Sequence, residues 1–234
     1  MQKAILEIKN LTAGYKKNIL ENINGTAYRG EIIGIFGRNG CGKTTLLNAL
    51  VGMPVIKSGS ICIGGKNAEK MSVSERASQI SLLAQRTPEL HGITVREIME
   101  LGAFAIRGAD KGKILQTASG LGIAELLDKD FAKLSEGQRQ LVMIGKLLVQ
   151  DSEILLLDEP DSSLDYINSE LLFELMREMK KAGKTVLMVV HNPETVVREC
   201  DRIWFVEDGH LTEISSETLW KKIGKTAEAN SRKG

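Results

Sequence analysis

Only three cysteines, Cys41, Cys62 and Cys200, occur in the 234-residue chain. They are too few and too scattered for a disulfide framework, and none forms a metal-type pair, so a reducing compartment suits them. No apolar run approaches the roughly 18 residues a membrane span needs, and the start Met1-Gln2-Lys3-Ala4-Ile5-Leu6-Glu7 meets a charge too soon for a signal peptide. Any membrane role is therefore expected to run through a partner. Charge of one sign is not in excess either: 31 basic residues against 30 acidic ones leave a net charge of +1, which demands neither nucleic acid nor an anionic membrane. The basic pairs Lys16-Lys17, Lys180-Lys181, Lys221-Lys222 and Arg232-Lys233 are short, separated, and read as solvated surface. No repeat of fixed period, low-complexity tract or long heptad run is present, which excludes solenoids and coiled coils. What remains is an ordinary globular composition on a chain long enough for one large or two intimately packed domains.

The most informative stretch is Gly37-Arg38-Asn39-Gly40-Cys41-Gly42-Lys43-Thr44, a G-x-x-x-x-G-K-[ST] pattern. It lies between the apolar run Ile32 to Phe36 and a helical-looking run from Thr45 onward. Its glycines permit backbone angles that side chains forbid, so successive N–H groups can converge on phosphate oxygens at the positive end of a helix. Lys43 is expected to reach the β- and γ-phosphates of a nucleoside triphosphate and Thr44 to hold Mg²⁺.

Around this loop the periodicity predicts an α/β chain. Ala4–Ile8 and Ile19–Ile23, separated by the turn-prone 14–18, read as antiparallel β; Gly59–Gly65 and Ile80–Ala84 read as further strands. After Gln85 the spacing becomes helical over Thr94–Phe104, Lys111–Leu121, Ile123–Leu127 and Glu136 to about Val149, the last opening on an S-x-x-Q capping box at Ser135. Strands return at Glu153–Leu157, Thr185–Val190 and Arg202–Val206, alternating with helices near 167–182 and 193–199. The expected fold is a phosphate-loop NTPase parallel-sheet core with an N-terminal antiparallel β subdomain and an inserted α-helical subdomain. In domain terms, 1–85 and 151–225 form the nucleotide-binding core, 86–150 the helical subdomain, and 226–234 a small, polar, flexible tail. Four apolar residues precede Asp158-Glu159, which places both acids at the carboxyl end of a buried strand, where ligands bind in open α/β sheets. Asp158 suits a Mg²⁺-organising acid, and Glu159 an acid that orients or deprotonates the attacking water.

Together with these motifs, Leu134-Ser135-Glu136-Gly137-Gln138-Arg139-Gln140 is similar to the L-S-G-G-Q signature of ABC transporter ATP-binding subunits, and the resemblance covers essentially the whole chain. It implies a head-to-tail dimer in which each ATP lies between one copy's phosphate loop (Gly37, Arg38, Asn39, Gly40, Cys41, Gly42, Lys43, Thr44, Thr45) and the other's Ser135, Gly137 and Gln138. It further implies that Tyr15 stacks on adenine, that Gln85 senses Mg²⁺ and the attacking water, that Asp165 in Ser162-Ser163-Leu164-Asp165 contacts the second copy, and that His191 touches the γ-phosphate. Four departures stand out: Glu136 where glycine is usual, Asp161 for threonine, Asn192 for aspartate, and Cys41 for a more usual small residue in the phosphate loop. Cys41, in an electropositive nest, is expected to have a depressed pKa.

The resemblance implies an ATPase working with two integral-membrane permease subunits and, indirectly, a substrate-binding protein, held peripherally on the cytoplasmic face of the cell membrane, with no direct nucleic-acid contact. Thr94-Val95-Arg96-Glu97-Ile98-Met99-Glu100-Leu101-Gly102 resembles the T-V-R-E-x-x-x-x-G stretch of importers for iron–siderophore, haem and cobalamin complexes, and with the segment His191 to Leu211 it points to that subgroup, although the insert from Gly102 to Leu134 is shorter than in that group. The alternatives are a soluble ABC-type ATPase acting on a nucleic-acid, ribosome or iron–sulfur assembly partner, and a non-hydrolysing interaction module.

Overall fold

The computed structural model describes residues 3–53, 55–88, 90–104 and 111–231. Strands β1 (Ala4–Ala13), β2 (Leu20–Tyr28) and β3 (Ile32–Phe36) lead into helix α1 (Lys43–Leu50). Strands β4 (Ile56–Ile63) and β5 (Lys66–Asn67), helix α2 (Val73–Gln79) and strand β6 (Ile80–Leu83) follow. Helices α3 (Val95–Ala103), α4 (Lys111–Gly120) and α5 (Glu136–Gln150) form the insert. Then come β7 (Ile154–Asp158), α6 (Tyr166–Lys181), β8 (Thr185–Val189) and α7 (Pro193–Glu199). The chain closes with β9 (Arg202–Glu207), β10 (His210–Ile214) and α8 (Ser216–Ser231).

The strands form two sheets. One is antiparallel, in the order β2-β1-β4-β5; the other has six strands in the order β10-β9-β3-β8-β7-β6, parallel except for the edge pair β9–β10. Strands β3, β7 and β8 are continuous apolar runs because both faces of this sheet are covered. The period-2 alternation of side chains divides them between two cores. Ile154, Leu156, Leu187 and Val189 face the antiparallel sheet and α1, whereas Leu155, Leu157, Val186 and Met188 face the other way, toward the helices. α1 is thereby wedged in the first core by Leu46, Leu47, Ala49 and Leu50, which fixes where its N-terminus points.

This is the α/β architecture expected from the sequence. In detail, the strand expected over Gly59–Gly65 starts earlier, at Ile56, and stops at Ile63, where Gly64 and Gly65 turn. The segment 123–127 is not an α-helix but a single 3-10 turn, Ala124–Leu126. Helix α2 had no apolar stripe to betray it, since none of its residues is buried; its one signal was the Ser72–Glu75 capping box, in which each backbone N–H meets the other side chain. From Thr226 to Ser231 the backbone continues α8, and positions 232–234 of the expected tail lie outside the described residues.

Candidate functional site

Strand β3 delivers the chain to the phosphate loop at the carboxyl edge of the parallel sheet. Gly37 passes so close to β9 that a Cβ there would lie 2.2 Å from the Val206 carbonyl oxygen. Gly42, at φ +111°, sits in a region that favours glycine, and a side chain would also strike Leu20 at 2.7 Å. Two positions of the loop are thus closed to any other residue. Lys43 is buried, and its Nζ donates to the carbonyls of Gly37 at 2.9 Å and Arg38 at 3.1 Å, holding the ammonium inside the loop.

Strand β7 brings Asp158 alongside. Its carboxylate lies close enough to the Thr44 hydroxyl to feel it, yet Oδ1 is buried with no hydrogen-bond partner. Burial raises the Asp158 pKa above the usual carboxylate value; the Thr44 hydroxyl and the Lys43 charge oppose that shift, and Glu159 adds to it. A buried, unpaired carboxylate oxygen costs free energy unless something completes its coordination. The next residue, Glu159, is held at φ +52°, and its Oε1 lies 2.5 Å from Nε2 of His191 at the end of β8. Left-handed backbone at a non-glycine residue is uncommon, and here it aims the carboxylate into the cleft. That cleft, about 470 Å³, is lined by Lys43, Thr44, Thr45, Gln85, Glu159 and His191 together with Ile19, Asn39, Gly40 and Gly42. Residues from five separate stretches of sequence meet there.

Other expected residues lie elsewhere. Tyr15 is exposed, takes a hydrogen bond on its hydroxyl from Asn48 Nδ2 at 3.1 Å, and does not line the cleft or the second cavity beside the loop. That second cavity, also about 470 Å³, is bounded by Lys17, Asn18, Ile19, Arg38, Asn39 and Cys41 on the loop side and by 205–209 opposite. Ile19 lines both cavities, and in the sequence it carries only the signal of an apolar residue closing a polar turn. Ser135 and Gln138 form the capping box of α5, with the Ser135 N–H donating to Gln138 Oε1 at 3.1 Å and the Gln138 N–H to Ser135 Oγ at 3.3 Å. Neither they nor Gly137 lines the cleft. Glu136, the departure from the usual signature, accepts from the Ser163 hydroxyl at 3.0 Å, so its carboxylate turns toward the 162–165 loop. Asp165 caps α6 by accepting from the Asn168 N–H at 2.9 Å.

One expectation about chemistry is overturned. The Cys41 thiol is pushed up rather than down: it is half-buried, and loss of solvent outweighs the pull of Lys43 and the loop N–H groups. A third cavity, about 680 Å³ and mainly apolar, opens beyond Gln85 between α2, β6 and α5.

The ABC transporter family model matches residues 20–162, spanning the phosphate loop, the signature and the acid pair. The chain belongs to the ABC transporter family. Among relatives, the iron(3+)-hydroxamate import ATP-binding protein of Bacillus subtilis is 34% identical, covering 93% of this chain and 87% of that protein. The bacitracin export ATP-binding protein of Halalkalibacterium halodurans is 33% identical, covering 95% of each. A dimeric bacterial ABC transporter cassette superposes with a TM-score of 0.82 at 26% identity, covering 90% of this chain and 98% of that one. The same cassette has been captured as a dimer after hydrolysis with ADP and phosphate bound. As an ABC ATPase the chain binds and hydrolyses ATP and belongs to a class whose ATP-binding units pair and power transport. Importers and exporters stand side by side among its relatives, so the iron-chelate subgroup is not singled out.

The residues fit Mg²⁺. Among the described residues no group of three or more His, Cys, Asp or Glu is placed to hold a metal. A buried carboxylate with a free oxygen beside a threonine hydroxyl is instead the sparse oxygen donor set of an ion that keeps its remaining positions for water and phosphate. No described helix is long and apolar enough to cross a membrane.

Proposed function

We propose that two copies of this chain close head to tail over two ATP molecules, hydrolyse them, and drive import of a substrate of the iron–siderophore, haem or cobalamin type through a membrane permease. The observation that carries the catalytic part is Glu159, held at positive φ and clasped to His191 at 2.5 Å beside the Lys43 loop. In this reading Glu159 takes the proton of the attacking water and His191 fixes the direction of its carboxylate. Lys43, already inside the loop, moves its donors from two carbonyls to phosphate oxygens, a stronger charge-assisted contact. Thr44, Asp158 and Gln85 would hold Mg²⁺, which supplies neutralisation of phosphate charge when bound. The loop N–H groups of Gly37 to Thr45 contact the phosphates, and Tyr15 leaves its hydrogen bond with Asn48 to stack on the adenine.

The head-to-tail arrangement is supported by what the cleft lacks. The α5 N-terminus, with Ser135, Gly137 and Gln138, is a helix end suited to anions but lies outside its own cleft, so a second copy is the source that can bring one there. Asp165 then meets the partner from the end of α6.

Import and a permease are supported by the iron-chelate importer among the relatives, by the Thr94–Gly102 stretch, and by the mainly apolar cavity beside Gln85, where an amphipathic helix of the permease would dock. The chain would then sit at the cytoplasmic face of the cell membrane, bound through two permease subunits. Glu159→Gln is expected to bind ATP and dimerise while phosphate release falls by about a hundredfold or more; wild-type turnover in that variant overturns the site reading. Pull-down from solubilised membranes is expected to recover a multi-span permease, and recovery of a nucleic-acid or scaffold partner instead overturns the transport reading.

A further inference from the structure

Gln140 lies five residues beyond the α5 cap and is 2% exposed. Its amide is bonded at both ends. Nε2 donates to the Pro160 carbonyl at 3.0 Å, and Oε1 accepts from the Thr87 hydroxyl at 3.2 Å. The orientation is forced, because a carbonyl only accepts and the nitrogen must therefore face Pro160. Pro160 directly follows Glu159, the residue in left-handed backbone that holds His191. Thr87 stands two residues beyond Gln85 and lines the apolar cavity between α2, β6 and α5. One buried amide therefore ties the signature helix to the turn that carries Glu159 on one side and to the wall of the apolar cavity on the other.

Packing does not require an amide there. Leu141, Val142 and Ile144 fill the neighbouring buried positions of α5, and an apolar side chain of similar length would fill the volume without the cost of desolvating a polar group. What an apolar residue cannot supply is direction: two hydrogen bonds at opposite ends of one rigid plane set the distance between their partners.

We propose that Gln140 is a positioning residue for hydrolysis: it holds the Pro160 turn so that Glu159 faces the cleft, and ties that placement to Thr87 at the cavity wall. Displacement of the 85–88 segment by whatever occupies the cavity is thereby passed to the turn bearing the acid. The inference rests on the role of Glu159 given above.

The test is steady-state ATP hydrolysis by the full chain carrying Thr87→Val, Thr87→Ser, Gln140→Met, or Thr87→Val with Gln140→Met. Loss of one positioning bond is expected to lower kcat about three- to tenfold in Thr87→Val and about tenfold or more in Gln140→Met, with KM for ATP within about twofold. Thr87→Ser, which keeps the hydroxyl, restores turnover. The double variant is no slower than Gln140→Met, because both changes cut one link. A purely structural residue would lower thermal stability without this split between kcat and KM. Wild-type kcat in both Thr87→Val and Gln140→Met, or equal loss in Thr87→Val and Thr87→Ser, overturns the proposal. Should Gln140→Met fail to fold, the two Thr87 variants decide alone. Glu159→Gln in the same assay separates the two levels: turnover surviving there overturns the site reading, whereas its loss there with unchanged Thr87 and Gln140 variants overturns the positioning role only.

Discussion

Asp158 and Cys41 show how the same loop treats two ionisable groups. Both lose solvent, and in both that loss raises the pKa, but Asp158 keeps a free oxygen buried beside Thr44, a site made to be completed from outside. Cys41 has no such outlet. Its sequence setting, with Lys43 two residues away and glycines on both sides, pointed to a reactive thiolate; only its burial shows that desolvation prevails. Because a raised pKa leaves less thiolate at neutral pH, Cys41 is expected to react with iodoacetamide several-fold more slowly at pH 7 than a free thiol, and to accelerate as pH climbs past about 9. ATP should slow it further by covering the loop. Mass-spectrometric labelling rates for Cys41, with and without nucleotide, check both statements; fast labelling at pH 7 would contradict the burial.

Among the elements, the two most exposed to misreading were those whose signals were local rather than periodic. α2 announces itself by a capping box alone, and α8 continues where small polar residues suggested an end. By contrast β3, β7 and β8 were legible because a parallel sheet covered on both faces demands unbroken apolar runs. The edge of that sheet relies on a polar clasp that periodicity could not show. Arg202 on β9 bonds Glu213 on β10 at 2.6 Å and Glu31 at 2.9 Å, joining the edge pair to the turn before β3. The Arg202 bond lowers the Glu213 pKa. A depressed carboxylate pKa contributes stability above the unfolded-state value, and that contribution disappears as pH falls through the folded-state value. Half of the Glu213 side chain is exposed, so the effect is small. Glu213→Gln is therefore expected to lower Tm by about 1–2 °C at pH 7, with the difference shrinking as pH falls through the acid range, as followed by circular dichroism; a difference that stays constant with pH would assign the loss to packing instead.

For the whole molecule, what matters is the placement of two helix N-termini, of which only one opens on the cleft. α1 presents its N-terminus to the cleft, while α5 presents Ser135 to the surface. In the Glu159→Gln background, ATP is expected to yield a species of twice the 25.7 kDa chain mass by sedimentation. Adding Ser135→Arg should abolish that species while ATP still binds the single chain. Undiminished dimer would show that the α5 end lies outside the interface. The sequence by itself determined the fold class, the phosphate loop, the acid pair and the order of motifs, because each rests on local periodicity or on contiguous residues whose spacing is dictated by backbone geometry. Tertiary structure decided what depends on desolvation and on meetings between distant segments. The pKa of the Cys41 thiol rises because it is half-buried, the Tyr15 hydroxyl accepts from Asn48, Glu136 turns to Ser163, and Gln140 bridges Thr87 and Pro160. A linear pattern carries no record of which side chains lose water together or which distant segments meet, and those two things raise the Cys41 and Asp158 pKa values and hold Glu159 against His191.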